Sequence, residues 1–153
     1  MKKRDLQRNG FTLIEVMIVV AIIGLLATMA IPHFAKARAA TQNSRFAADL
    51  KAASGAFMTY AIDNRNYPPD AQPSMIPSGM ADYLGRMTWT EVNTLGGKWD
   101  WDYRQFGCIA GVSVYQPAAD IVQLLRLDKL IDDGDLSGGN FRSRSAGYIW
   151  VIE

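Results

Sequence analysis

The hydropathy pattern changes period along the chain. From Phe11 to Ile31 it reads FTLIEVMIVVAIIGLLATMAI, an almost unbroken apolar run of about 20 residues. At about 1.5 Å of rise per residue, such a run crosses the hydrocarbon core of a bilayer as a helix. Beyond it, Phe46, Leu50, Ala53, Phe57 and Ala61 recur at steps of four and three, which lays one apolar stripe along a helix. Asn43, Arg45, Asp49 and Lys51 fall mostly on the other faces. Asp63-Asn64 and Tyr67-Pro68-Pro69 end the pattern, because proline disfavours helix for the residue before it. The pattern thus predicts one helix from Phe11 to about Ile62. Pro32 lies inside it and removes a backbone hydrogen bond, which predicts a kink, and Gly24 weakens the same segment.

The second half of the chain has shorter periods. Residues 67–97 are rich in Pro, Gly, Ser and Met and read as a connection with one short helix at Met80–Leu84. Lys98–Tyr103 (KWDWDY) then alternates aromatic and acid, the period of a half-buried strand. Trp99, Trp101 and Tyr103 are expected to face the long helix, with Asp100 and Asp102 in water. Arg104–Gly107 reads as a turn and Cys108–Tyr115 as the second strand of a hairpin. Pro117 fits a first helical position, Ile121, Leu124, Leu125 and Ile131 a short amphipathic helix, and Gly134 its cap. Tyr148–Ile152 (YIWVI) reads as a last strand, with the strand order left open.

Composition and charge narrow the functional classes. Hydrophobic residues make up 49% of the 153, but the Phe11–Ile31 run takes a large part of them, so the remaining body owns only a small core. The net charge of +1 conceals an asymmetry. Lys2, Lys3, Arg4 and Arg8 stand against Asp5 in the first ten residues, and without these the chain carries −2. No basic stripe marks a nucleic-acid surface. Cys108 has no second cysteine to pair with and reads as a small buried residue. The one histidine, His33, reads as solvated or facing headgroups. No phosphate loop, metal-ligand cluster or nucleophile motif is present, so no enzyme is expected, and Asp100, Asp102 and Asp128 read as solvated acids rather than catalytic ones. No cofactor is expected. The stretch Asp132-Asp133-Gly134-Asp135 could offer oxygen ligands to calcium, but its spacing is not that of an EF-hand and suits a helix-end turn. Asp132, Asp133 and Asp135 stand as weak calcium candidates only.

The amino terminus carries the functional message. Basic residues precede the apolar run, which predicts a cytoplasmic leader and a body on the other side of the membrane. No small-residue cleavage site follows the run, unlike a secretory signal. Glu15 sits inside it, where a carboxylate costs roughly 2.5 kcal/mol or more at the bilayer centre and less near its end. It therefore calls for a positive partner.

Gly10-Phe11-Thr12-Leu13-Ile14-Glu15, behind a short basic leader and ahead of the apolar run, resembles the cleavage and methylation signal of type IV prepilins and type II secretion pseudopilins. Pro32 falls where these proteins place a kinking proline. The clear resemblance covers roughly the first 60 residues. It implies an α+β pilin-like fold, a long helix packed on a small antiparallel sheet. The implied divisions are a leader (1–10), a transmembrane half of the helix (11–31), an amphipathic half (32–64) and a globular body (65–153). It also implies cleavage between Gly10 and Phe11 by a membrane prepilin peptidase and methylation of the new Phe11 amine. That amine would be the cation Glu15 needs, on the same subunit or a neighbour, and would set register during assembly. The helix would loosen between Gly24 and Pro32 in a filament. Implied partners are homologous subunits, an assembly-platform membrane protein and the bilayer of the bacterial inner membrane, with the body in the periplasm.

A pseudopilin of a type II secretion-like system fits best. A type IV pilin for adhesion, motility or DNA uptake is the alternative, against which stands the lack of a C-terminal disulfide pair. A membrane-anchored ligand-binding module is the alternative of another class. It would need Trp89, Trp99, Trp101 and Trp150 exposed as stacking surfaces.

Overall fold

A computed structural model of the chain describes residues 11–85 and 87–153. Its elements are α1 (Leu13–Asn64), α2 (Ala81–Leu84), β1 (Lys98–Tyr103), β2 (Ala110–Tyr115), α3 (Ile121–Ile131), β3 (Phe141–Arg144) and β4 (Gly147–Val151). The strands form one antiparallel sheet in the order β1-β2-β4-β3. This is the α+β pilin-like architecture. Two compact units divide at Arg38 and Ala39.

In the first unit, residues 16–31 of α1 are apolar on almost all sides, and none of the membrane-length window is buried. The only polar side chain in the middle of the run, Thr28, donates to Leu25 O at 2.7 Å, so its hydroxyl is satisfied within the helix. Helix is maintained through both Gly24 and Pro32. Because Pro32 has no N–H, the Thr28 carbonyl loses the donor it would normally take from that turn.

The second unit holds the core. Phe46, Leu50, Ala53 and Phe57 of α1 are all buried, as the stripe predicts. The aromatic ring of Phe46 stacks on Trp99 at 4.9 Å, and that of Phe57 on Trp101 at 3.7 Å. Trp89 closes the cluster edge-on to Phe57. Ala53 leaves room for the sheet to approach the helix between these two stacks. Asn43, expected on an outer face, is buried. It lies three residues before Phe46 and so shares its stripe, and its amide pairs with Gln123 of α3 in both directions (3.0 and 3.1 Å), which satisfies it.

The connection between α1 and β1 is tied down along the edge strand. Ser74 N–H donates to Trp99 O, Asp70 Oδ1 accepts the Tyr103 N–H, and Pro68 O and Met75 O accept the indoles of Trp101 and Trp89. The first two of these bonds occupy backbone groups that an edge strand would otherwise leave open, and the other two satisfy buried indoles.

Several expectations fail here. Asp100 and Asp102 do not face water: they are 4% and 3% exposed. They lie on the sheet face opposite the tryptophans, and Arg144 of β3 reaches them. Its Nη2 is 2.5 Å from Asp100 and its Nε 3.4 Å from Asp102, while Ser113 donates to Asp102. Burial, and after it the charge of Asp102, push the Asp100 carboxyl up to about 6, with Arg144 pulling the other way.

Cys108 is half-buried in the turn before β2, where its thiol donates to Gln105 O, and it belongs to neither strand nor core. Pro117 does not start α3. Asp120 does, its carboxylate accepting the Gln123 N–H, while Ala118 and Ala119 donate to Leu95 O. The buried face of α3 is Leu124, Leu127 and Asp128, and Ile121 and Leu125 are exposed. The helix cap is Asp132, with Gly134 two residues beyond it. Trp89, Trp99 and Trp101 are buried to 2% exposure or less and offer no stacking platform, and Trp150 is half-buried against the same core.

Candidate functional site

The described residues begin at Phe11, so Gly10 lies outside them. Phe11 is 87% exposed and precedes the helix. Thr12 is where the helical hydrogen bonding starts: its carbonyl accepts from Val16 N–H. Glu15, three residues on, turns back. Its Oε2 accepts from both the N–H and the hydroxyl of Thr12 at 2.8 Å, and its own N–H donates to Thr12 Oγ1 at 3.3 Å. This is a reciprocal capping box, and it satisfies backbone donors that the first turn leaves without partners. The Thr-x-x-Glu spacing was visible in the sequence. A carboxylate at a helix N-terminus is also favoured by the helix dipole.

The box orients Glu15 without neutralising it. Two donors satisfy one oxygen, but the unit negative charge remains inside a segment whose other side chains are apolar. Phe11, four residues earlier, is the nearest chain position at which cleavage would create a cation.

A second cluster lies at the end of α3. Carboxylate oxygens of Asp128, Asp132 and Asp133 fall within 4.8 Å of one another. Asp128 is fully buried, and apart from the Gly134 N–H, which lies near enough to lower its carboxyl, its oxygens have no hydrogen-bond partner. Burial, then the charges of Asp133 and Asp132, push its carboxyl above the usual carboxylate range. Asp132 Oδ2 accepts from the N–H groups of Asn140 and Phe141, which folds the following loop back onto the cluster. Gly139 is obligatory in that loop. Its φ is +67°, and a Cβ there would lie 2.2 Å from Asp132 Oδ2.

Asp135 does not join the cluster, since its Oδ1 accepts from the Ser137 N–H and hydroxyl. Asp128 takes its place, having looked like a solvated helix acid by position. Three convergent carboxylates, one of them buried and poorly satisfied, fit the oxygen-ligand chemistry of a hard divalent cation such as calcium. Asp128 would be the interior ligand, with Asp132 and Asp133 closing from the loop side.

Comparison with known proteins bears on the amino-terminal site. Residues 6–31 match the family model described as the prokaryotic N-terminal methylation motif. The chain is 35% identical over 66 residues to the type II secretion system core protein G of Klebsiella pneumoniae, covering 43% of this chain and 47% of that protein. It is 36% identical over 72 residues to the protein of the same name from Escherichia coli (strain K12), covering 47% and 49%. It is 56% identical over 46 residues to the type IV major pilin protein PilA of Myxococcus xanthus (strain DK1622), covering 30% and 21%. The matches to the core protein G relatives span about half the length of those proteins. No solved structure matches. The motif at residues 6–31 and these relatives together show that the amino-terminal part of the chain is similar to that of type IV pilins and type II secretion pseudopilins.

Proposed function

We propose that the chain is a structural filament subunit, a pseudopilin of a type II secretion-like system, processed at its amino terminus and assembled through α1. One observation carries this reading: an exposed Phe11 stands directly before a capped helix whose first turn holds Glu15, at the start of a run apolar enough to span a membrane. Prepilin peptidase would cut between Gly10 and Phe11. Gly10 lets an extended backbone enter a protease cleft without a Cβ. The peptidase would then methylate the Phe11 amine, which remains a cation.

Before assembly the Thr12 box holds the Glu15 carboxylate at the helix start. On assembly the Phe11 amine of a neighbour, or of the same chain, pairs with it, and a wrong axial register leaves the charge unpaired in low dielectric. Loosening of α1 between Gly24 and Pro32 would let the apolar half repack among homologous subunits. The subunit waits in the inner membrane with its body in the periplasm, where an assembly-platform membrane protein would draw it into the filament. Its role is structural rather than enzymatic, and no nucleic acid takes part.

The test is expression with and without prepilin peptidase, followed by mass spectrometry of the amino terminus. Loss of residues 1–10 and one methyl group on Phe11 are expected, with Gly10→Val blocking both. A chain that stays uncut beside an active peptidase would sink the reading. The type IV pilin alternative draws on the similarity to a protein of that name. A deletion strain separates the two: lost secretion favours the pseudopilin, lost motility or DNA uptake the pilin.

A second reading concerns the Asp128–Asp132–Asp133 cluster, supported by the convergence of its carboxylates and the burial of Asp128. A divalent cation held there would fix the end of α3 to the loop that leads into β3, and so stabilise the body.

A further inference from the structure

The sheet face away from the core carries a pocket that filament assembly through α1 does not use. Its accessible volume is about 430 Å³, and Asp100, Asp102 and Arg144 line it together with Phe106, Tyr115 and Lys98. The charges of its floor do not balance. Asp100 and Asp102 present two carboxylates to one guanidinium, and the side chains of Arg144 and Asp100 are each only 5% exposed. Hydrogen bonding is incomplete as well. Asp100 Oδ2 is taken by Arg144, but Asp100 Oδ1 is buried without a partner, and so is Arg144 Nε apart from its longer contact to Asp102.

A buried acceptor left open and an unmatched negative charge are both costly, and one group offering N–H donors and a positive charge removes both costs. The surroundings suit such a group. Phe106 and Tyr115, whose rings lie 4.7 and 5.8 Å from the Arg144 guanidinium, give the pocket an apolar wall along which the alkyl stem of such a group can lie. Asp70 adds a third carboxylate to the lining, and burial, then the charge of Asp102, raise the Asp100 carboxyl to about 6. Lys98 is exposed, lies on the same strand face as Asp100 and Asp102, and stands as a competing cation.

We propose that this pocket binds a primary ammonium or guanidinium group, with Asp100 as its principal acceptor and Asp102 as its second countercharge. The group could arrive as a lysine or arginine side chain of a partner protein or as a free polyamine.

Full-length protein, ¹⁵N-labelled in detergent micelles, would be titrated with n-butylammonium, Nα-acetyl-lysine amide and spermidine, with butyrate as the anionic control. Saturable shifts at Phe106, Tyr115 and the Arg144 Nε–H are expected with the cations and none with butyrate. Asp100→Asn should weaken binding about tenfold. Lys98→Met alters only an exposed residue and should tighten it about threefold by removing the competitor. If Asp100→Asn fails to fold, the Lys98→Met result decides. Tighter binding of spermidine points to a free polyamine, and tighter binding of the lysine amide to a protein side chain. No saturable shift with any cation, equal shifts with butyrate, or a Lys98→Met protein that binds no more tightly would overturn the proposal.

Discussion

Thr12 and Glu15 hold each other at the start of α1: the hydroxyl and the N–H of Thr12 both donate to the Glu15 carboxylate at 2.8 Å. The carboxylate thus has two separable tasks, one as a cap and one as a charge. Thr12→Val removes the hydroxyl and leaves the charge. Loss of the cap should cost about 1 kcal/mol locally. The expected result is faster amide exchange in the first turn of α1, read by NMR in micelles, with an unchanged core.

The aromatic stacks between α1 and β1 should dominate the stability of the body. Phe57 and Trp101 are fully buried and stack at 3.7 Å. Truncating either to alanine should cost about 3–5 kcal/mol in urea unfolding. Ile62→Ala, at a residue 78% exposed on the same helix, should change stability by less than about 0.5 kcal/mol.

The Asp100 carboxyl gives stability a pH slope of defined sign. Its folded value, about 6, lies above the ordinary 3.8, so the folded state holds a proton that the unfolded state has lost between those values. This contribution is present in full below about pH 4 and is lost as pH rises through about 6. Asp102, raised by its own burial, acts in the same direction. Denaturant midpoints measured across this window should fall with rising pH from these two groups, and Asp100→Asn should flatten the slope.

The acidic cluster predicts a different response. If Asp128, Asp132 and Asp133 hold calcium, millimolar calcium should raise the melting temperature and a chelator should reverse it. Asp128→Asn should abolish the response, and Gly139→Ala should weaken it by driving a Cβ into Asp132. Asp135→Asn should leave it nearly intact, because Asp135 is engaged with Ser137. No calcium heat in calorimetry of the full chain would remove this reading.

The parts of the fold that were legible in the sequence are those where large apolar residues keep one period. The Phe46–Phe57 stripe and the KWDWDY alternation placed α1 and β1 against each other, because Trp99 and Trp101 have nowhere else to bury so much surface. The failures that matter for the candidate sites concern polar residues. Asp100, Asp102 and Asp128 sit at the polar phase of their patterns, and polar phase reads as solvent unless the partner is known. Arg144, the partner of Asp100, lies 44 residues away in sequence. Its strand, Phe141–Arg144, is four residues long with no alternation to announce it. At the amino terminus Glu15 was legible as an anomaly in an apolar run, and the Thr-x-x-Glu spacing of its cap was present in the sequence, while the geometry shows the bonds made.

Glu15→Gln separates charge from shape most directly. It keeps a side-chain oxygen for the Thr12 box but cannot pair with the Phe11 amine as an anion. Filament incorporation of Glu15→Gln and Thr12→Val subunits should be compared with wild type by cross-linking, after confirming that all three are cleaved. Near wild-type incorporation of Thr12→Val and a failure of Glu15→Gln are predicted. A Glu15→Gln subunit that enters filaments as efficiently as wild type would contradict the charge-pairing account.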